Sequence, residues 1–138
     1  MKTVMLVDDS EADLLFSRII VDRSGICRDV LAFDNAPAAL AHLSAPEGSE
    51  VDLVLLDINM PGMDGFQFLQ AYDALHGARQ ARAVVVMLTS SPDPRDRVEA
   101  ERYACVRGYV VKPINLAAAQ GLHALVTGAP AASSSAGG

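Results

Sequence analysis

Basic side chains are in short supply: 11 lysines and arginines stand against 17 aspartates and glutamates, for a net charge of −6 at pH 7. Direct binding of nucleic acid needs a basic face, so that activity is excluded. Tryptophan is missing and aromatic residues make up 5% of the chain, whereas 51% of residues are hydrophobic. The core must therefore be built mostly from Val, Leu, Ile and Ala. Cys27 and Cys105 are too few for a disulfide framework and lack metal-ligand spacing, so both read as buried or half-buried free thiols. His42, His76 and His123 are scattered over separate segments and suggest no metal or phosphohistidine cluster. No run approaches the length of a membrane span, and the amino terminus meets Asp8-Asp9 too early for a secretory leader. The expected location is the cytoplasm, with no membrane partner.

What is present is organised around Val51-Asp52-Leu53-Val54-Leu55-Leu56-Asp57-Ile58-Asn59-Met60-Pro61-Gly62-Met63-Asp64-Gly65. Leu53 to Leu56 are apolar without a break, as in a strand buried on both faces of a parallel sheet. The Pro-Gly and Asp-Gly pairs beyond it mark a tight loop. Asp57 therefore falls at the carboxyl end of a central strand, where open α/β sheets place their chemistry.

The 138 residues suit one domain, over 1–127, followed by a Gly, Ala and Ser tail at 128–138 that cannot bury apolar area and should be disordered. A first strand spans Thr3 to Val7. Ser10-Glu11-Ala12-Asp13 resembles a weak capping box, with Leu14, Leu15, Ile19 and Ile20 at helical spacing behind it and Ser24-Gly25 as the stop. A second, less apolar strand from Arg28 to Phe33 suits a sheet edge. Asp34-Asn35-Ala36-Pro37 opens a helix to about Ser44, and Ala45 to Ser49 reads as a surface loop. After the central strand a helix runs from Gly65 to about His76, with Gly77 as its C′ residue. The second unbroken apolar run, Ala83 to Leu88, ends in Thr89-Ser90-Ser91. Asp93-Pro94 caps a charged helix to about Ala104, with Arg95/Glu99 and Arg97/Glu101 at i,i+4 spacing. Gly108 to Val111 forms a fifth strand before Lys112-Pro113, and Asn115 caps a last helix to Thr127. Five strands alternating with five helices make an α/β, doubly wound parallel sheet the economical fold.

In such a sheet the carboxyl ends of strands one, three, four and five bring together Asp8 and Asp9, Asp57, Thr89, and Lys112. Three acids a few ångströms apart repel by roughly 1 to 4 kcal/mol per pair. A hard divalent cation relieves that, and oxygen ligands with room for water suit Mg²⁺. A cation beside a free carboxylate, with an ammonium and a hydroxyl opposite, is a receptor for a phosphoryl group, with Asp57 as nucleophile.

At these residues the chain resembles a receiver domain of a two-component response regulator of the stand-alone, chemotaxis-regulator type, over about residues 2 to 127. The matching pieces are Val7-Asp8-Asp9-Ser10, Leu56 to Gly65, Met87-Leu88-Thr89, and Tyr109-Val110-Val111-Lys112-Pro113. The resemblance implies a flavodoxin-like (βα)5 fold with strand order 2-1-3-4-5. It implies that Asp57 accepts a phosphoryl group from a sensor histidine kinase or a histidine phosphotransfer protein. Asp9, Asp57 and the backbone carbonyl of Asn59 would bind Mg²⁺ directly, Asp8 would act through metal-bound water, and Thr89 and Lys112 would contact the phosphoryl oxygens. A cis Lys112-Pro113 peptide is implied too, as is a switch in which Thr89 moves and Tyr109 turns, altering the surface of the fourth helix, fifth strand and fifth helix. The protein would be a phosphoprotein switch that catalyses only its own phosphorylation and dephosphorylation.

Ser90, followed by Ser91, stands where the family most often has Ala or Gly after the threonine, and Cys105-Val106 stand where many members have Gly-Ala. The last helix is poor in charge, which suggests a homodimer or partner contact through it. No output domain follows Thr127, so the expected effect is docking to a downstream protein or relay of the phosphate. Two other classes use similar sheets. A haloacid-dehalogenase-like phosphatase needs a second Asp where Asn59 stands, and a flavin phosphate would be repelled by Asp8 and Asp9.

Overall fold

The computed structural model describes residues 1–77, 83–90 and 92–127. Within them the strands β1 (Thr3–Val7), β2 (Asp29–Phe33), β3 (Val51–Asp57), β4 (Val84–Thr89) and β5 (Val106–Val111) form one sheet. Its order is β2-β1-β3-β4-β5 and every pairing is parallel. The helices are α1 (Glu11–Ser24), α2 (Ala36–Ser44), α3 (Gly65–Gly77), α4 (Pro94–Glu101) and α5 (Leu116–Thr127). This is the doubly wound, flavodoxin-like arrangement expected. The tail from Gly128, and Ser91, lie outside the described residues.

The unbroken apolar runs become strands covered on both sides. Val4 to Val7, Leu53 to Leu56 and Val85 to Leu88 are each at most 2% exposed, which alternating half-polar strands would not permit. One face carries Met5, Val7, Val54, Leu56, Val85 and Met87 against Leu43 of α2, Phe68, Leu69 and Tyr72 of α3, and Ala100 of α4. The other carries Val4, Leu6, Leu53, Leu55, Val86 and Leu88 against Val21 of α1 and Ala119 and Leu122 of α5. The strand β2, less apolar than the central strands, is at an edge as its sequence suggests.

Helix starts are fixed by side chains that satisfy otherwise unpaired N–H groups. Ser10 Oγ accepts from Asp13 N–H, Asn35 Oδ1 from Ala38, Asp93 Oδ1 from Arg95 and Asn115 Oδ1 from Ala118. Gly25 closes α1 at φ 69°, a left-handed conformation that glycine adopts without steric cost. The start of α3 holds a full reciprocal box that sequence reading missed. Asp64 Oδ1 accepts from Gln67 N–H while Gln67 Oε1 accepts from Asp64 N–H, both at 2.9 Å. The Asp-x-x-Gln spacing was its available signal.

Several expectations are corrected. α4 stops at Glu101, not near Ala104, and β5 begins at Val106, two residues before Gly108. The cause is sheet pairing: the Cys105 carbonyl accepts from Val85 N–H at 2.8 Å, which pulls the chain out of helix. The register then slips, since Val85 faces Val106 while Val86 faces Gly108, and Arg107 is left over as a bulge. Arg95 does not reach Glu99; it pairs with the capping Asp93 at 3.0 Å, and Glu99 pairs with Arg102 at 3.1 Å. Arg97 and Glu101 do pair, at 3.4 Å. Leu15 and Ile19 face solvent, because Ser17 and Val21 are the fully buried positions of α1. The expected loop at 45–49 is a 3-10 turn, Pro46–Glu50, whose Gly48 lies so close to the Leu43 backbone that no side chain would fit.

Tyr72, wholly buried in α3, anchors the entry to β4: its hydroxyl accepts from Ala83 N–H at 2.8 Å and donates to the Ala83 carbonyl at 3.3 Å. Tyr72→Phe keeps the ring but leaves both backbone groups unpaired in the core. It should cost about 1–3 kcal/mol, read as a lower urea midpoint with an unchanged slope.

Candidate functional site

Parallel strands end on one edge, and there the chain collects its charges. Asp8 follows β1, with its N–H bonded to the Phe33 carbonyl at 3.1 Å; Asp57 ends β3, and the next residue, Ile58, donates to the Leu88 carbonyl at 3.1 Å. Thr89 ends β4 and its carbonyl accepts from Lys112 N–H at 2.7 Å, which fixes the lysine backbone just past β5. The Lys112-Pro113 peptide is cis, as expected. Gly65 allows the loop after β3 to fold tightly over this edge. It donates to the Ile58 carbonyl at 2.8 Å, and a Cβ at this position would stand 2.9 Å from the Asp57 carbonyl oxygen.

Lys112 is the hub. Its ammonium lies 2.9 Å from Asp8 Oδ2, 2.9 Å from Asp13 Oδ2 and 3.3 Å from Asp57 Oδ1. The side chains of Lys112, Asp8 and Asp57 are all nearly buried, whereas that of Asp13 is half exposed. Asp13 was not among the residues singled out from sequence for this site; its pairing with Lys112 had no spacing signal.

Burial pushes the Asp57 carboxyl up from its ordinary 3.8 to about 6, with the Asp8 charge acting the same way and Lys112 opposing both. Burial also works against the charge on Lys112, but hydrogen bonds to Asp13 and Asp8 outweigh it and hold the ammonium above its ordinary range. Asp57 is thus mostly ionised at neutral pH, and the lysine fully so.

Asp8, Asp9 and Asp57 each offer a carboxylate oxygen, all within 4.8 Å of one another. Asp8 and Asp57 are buried and Asp9 is exposed, so the group opens to solvent on one side. Hard oxygen donors carrying three negative charges against one ammonium fit a small divalent cation with retained waters. Asn59 is exposed on the loop just beyond Asp57 and Thr89 is fully buried. Tyr109 is half-buried one strand over. Its hydroxyl is shielded from solvent without a hydrogen-bond partner among the described residues, and the Arg97 guanidinium sits 5.7 Å from its ring centre.

A doubly wound sheet with an aspartate pocket and a lysine at its carboxyl edge defines the class of acidic, flavodoxin-like phosphoryl-receiving modules. Within that class, the chain belongs to the response regulator receiver domain family, whose profile matches residues 4–124. It is 31% identical over 112 residues to the sensor histidine kinase GacS of Pseudomonas protegens, covering 81% of this chain but 12% of that protein. It is 29% identical over 117 residues to protein PilH of Pseudomonas aeruginosa, covering 83% and 88% of the two chains. A two-component response regulator from Cytophaga hutchinsonii superposes with a TM-score of 0.84 at 26% identity, over 94% of this chain and 98% of that one. Receiver domains of this family are phosphoacceptor switches in two-component signalling, not classical enzymes. Among the described residues no helix is long and apolar enough to cross a membrane.

Because the folded state holds the Asp57 proton more tightly than the unfolded chain, the contribution of this group to stability without metal falls as pH rises from about 4 to 6. Asp57→Asn removes that burden and should stabilise the chelator-treated protein at pH 7.5 by up to about 3 kcal/mol. At pH 4 the gain should vanish. Urea unfolding at the two pH values checks this; a variant no more stable at pH 7.5 would contradict it.

Proposed function

We propose that Asp57 accepts a phosphoryl group from a histidine kinase or a histidine phosphotransfer protein, in a Mg²⁺-dependent reaction. The observation that carries this reading is the convergence of one buried ammonium on Asp57 and Asp8 at the carboxyl edge of the sheet. One ionised Asp57 oxygen attacks phosphorus in line as the bond to the donor breaks and its electron pair leaves with the donor. Lys112 takes up charge on the oxygens of the transferred group, and Thr89 stands at the neighbouring strand end to hydrogen-bond them. Asp9, Asp57 and the Asn59 carbonyl would hold Mg²⁺ directly and Asp8 through water, and the ion would offset charge on the clustered carboxylates and the donor oxygens. Beyond its own phosphorylation and slow hydrolysis the domain catalyses no turnover.

The signal leaves through α4, β5 and α5. Phosphorylation adds about two negative charges and three acceptor oxygens, which draw Thr89 toward Asp57 and free room for Tyr109 to turn. The unpartnered Tyr109 hydroxyl supports this, because an unsatisfied buried group gains a partner by moving. The face so altered docks a downstream protein or passes the phosphate on. Val111 and Leu116, exposed by 46% and 41%, also make it a surface for a homodimer through α5. The match over 88% of PilH supports a single-domain regulator.

Incubation with acetyl phosphate and Mg²⁺, followed by intact-mass spectrometry, should show a single added phosphate on wild type and none on Asp57→Asn. No adduct, together with no binding of beryllofluoride, would overturn the reading. Sedimentation should show self-association that Leu116→Glu abolishes; a monomer at high concentration, with or without phosphate, would count against the homodimer.

A further inference from the structure

Lys112 has three ammonium protons to give, and its two short hydrogen bonds go to Asp8 and Asp13, at 2.9 Å each, not to Asp57 at 3.3 Å. Asp8 belongs to the acid trio of the pocket. Asp13 does not: it stands in the first turn of α1, with a side chain 47% exposed. Its place is held from below. Ser10 Oγ accepts from Asp13 N–H at 3.3 Å, and Ser10 N–H donates to Asp8 Oδ1 at 2.9 Å. In an ordinary capping box the residue at Asp13 would reach back to Ser10 N–H. Asp8 already fills that role, which leaves the Asp13 carboxylate turned to the lysine.

A carboxylate gripping Lys112 from the α1 side has two effects on a group arriving at Asp57. It occupies a donor that the incoming oxygens need, and it adds negative charge beside an anion. We propose that Asp13 is a positioning residue that competes with the phosphoryl group for the Lys112 ammonium and weakens the hold of the site on it. The inference rests on the phosphoacceptor reading above. Partial exposure matters here, because a solvated carboxylate can release the lysine without being stranded in the core.

The test is calorimetric titration with beryllofluoride in the presence of Mg²⁺, on wild type, Asp13→Asn, Asp13→Ala and Asp13→Glu. Removing the charge in Asp13→Asn should tighten binding roughly three- to tenfold, with Asp13→Ala moving the same way. Asp13→Glu, which keeps the charge, should stay close to wild type. Thermal unfolding of the same four proteins separates a helix-start defect, which would lower stability without tightening binding. Unchanged or weaker binding in both neutral variants, with wild type still binding, overturns the role of Asp13 alone. A wild type that binds no beryllofluoride and takes no phosphate from acetyl phosphate overturns both this role and the reading beneath it.

Discussion

One ammonium among three carboxylates is the interaction on which the rest of this structure depends. Asp8 follows β1, Asp13 lies in α1, Asp57 ends β3 and Lys112 follows β5, so the four meet only if the whole sheet closes in its observed order. Without the lysine the acids would repel one another in a poorly solvated crevice; without the acids a buried lysine would be an uncompensated charge. The site is therefore held by long-range assembly, not by any one loop. The same arrangement leaves its charge unbalanced toward the negative, which makes it receptive to cations and dependent on Lys112 for any anion.

Much of this was legible in the chain. Unbroken apolar runs such as Leu53 to Leu56 have few other uses than two-sided strands, and polar residues at their ends must cluster once the strands are parallel. Caps were readable because Asn35, Asp93 and Asn115 act on residues two or three places away. What could not be read was decided between distant segments. Whether Arg95 chose Asp93 or Glu99 depended on rotamers near a cap, and the early end of α4 depended on Cys105 finding Val85. Asp13 looked like half of a capping box; its true partner is 99 residues away. The helical spacing in α1 named an apolar face but could not say that Leu15 and Ile19 would be left outside it.

The core divides the labour of the two faces. Tyr72 and Phe68 fill the side beneath α3, while small and branched residues let α1 and α5 lie close on the other. Gly108 is part of that closeness, since a side chain there would meet Leu125 and Val86. Free thiols take no part in the site: Cys105 is buried and its pKa is pushed up to about 11 by burial, which makes it inert packing.

The leftover residue at Arg107 has a consequence for phase. Along a strand, sides alternate, so Val106, Gly108 and Val110 would share one side of an unbroken β5. The extra residue resets the count: Val106 and Tyr109 instead join the face under α4, and Gly108 and Val110 the face under α5. With Arg107 paired in register, Tyr109 would stand opposite Leu88 and turn to α5, away from Arg97. Which helix that aromatic ring addresses is thus set by parity, through a residue that itself pairs with nothing in β4.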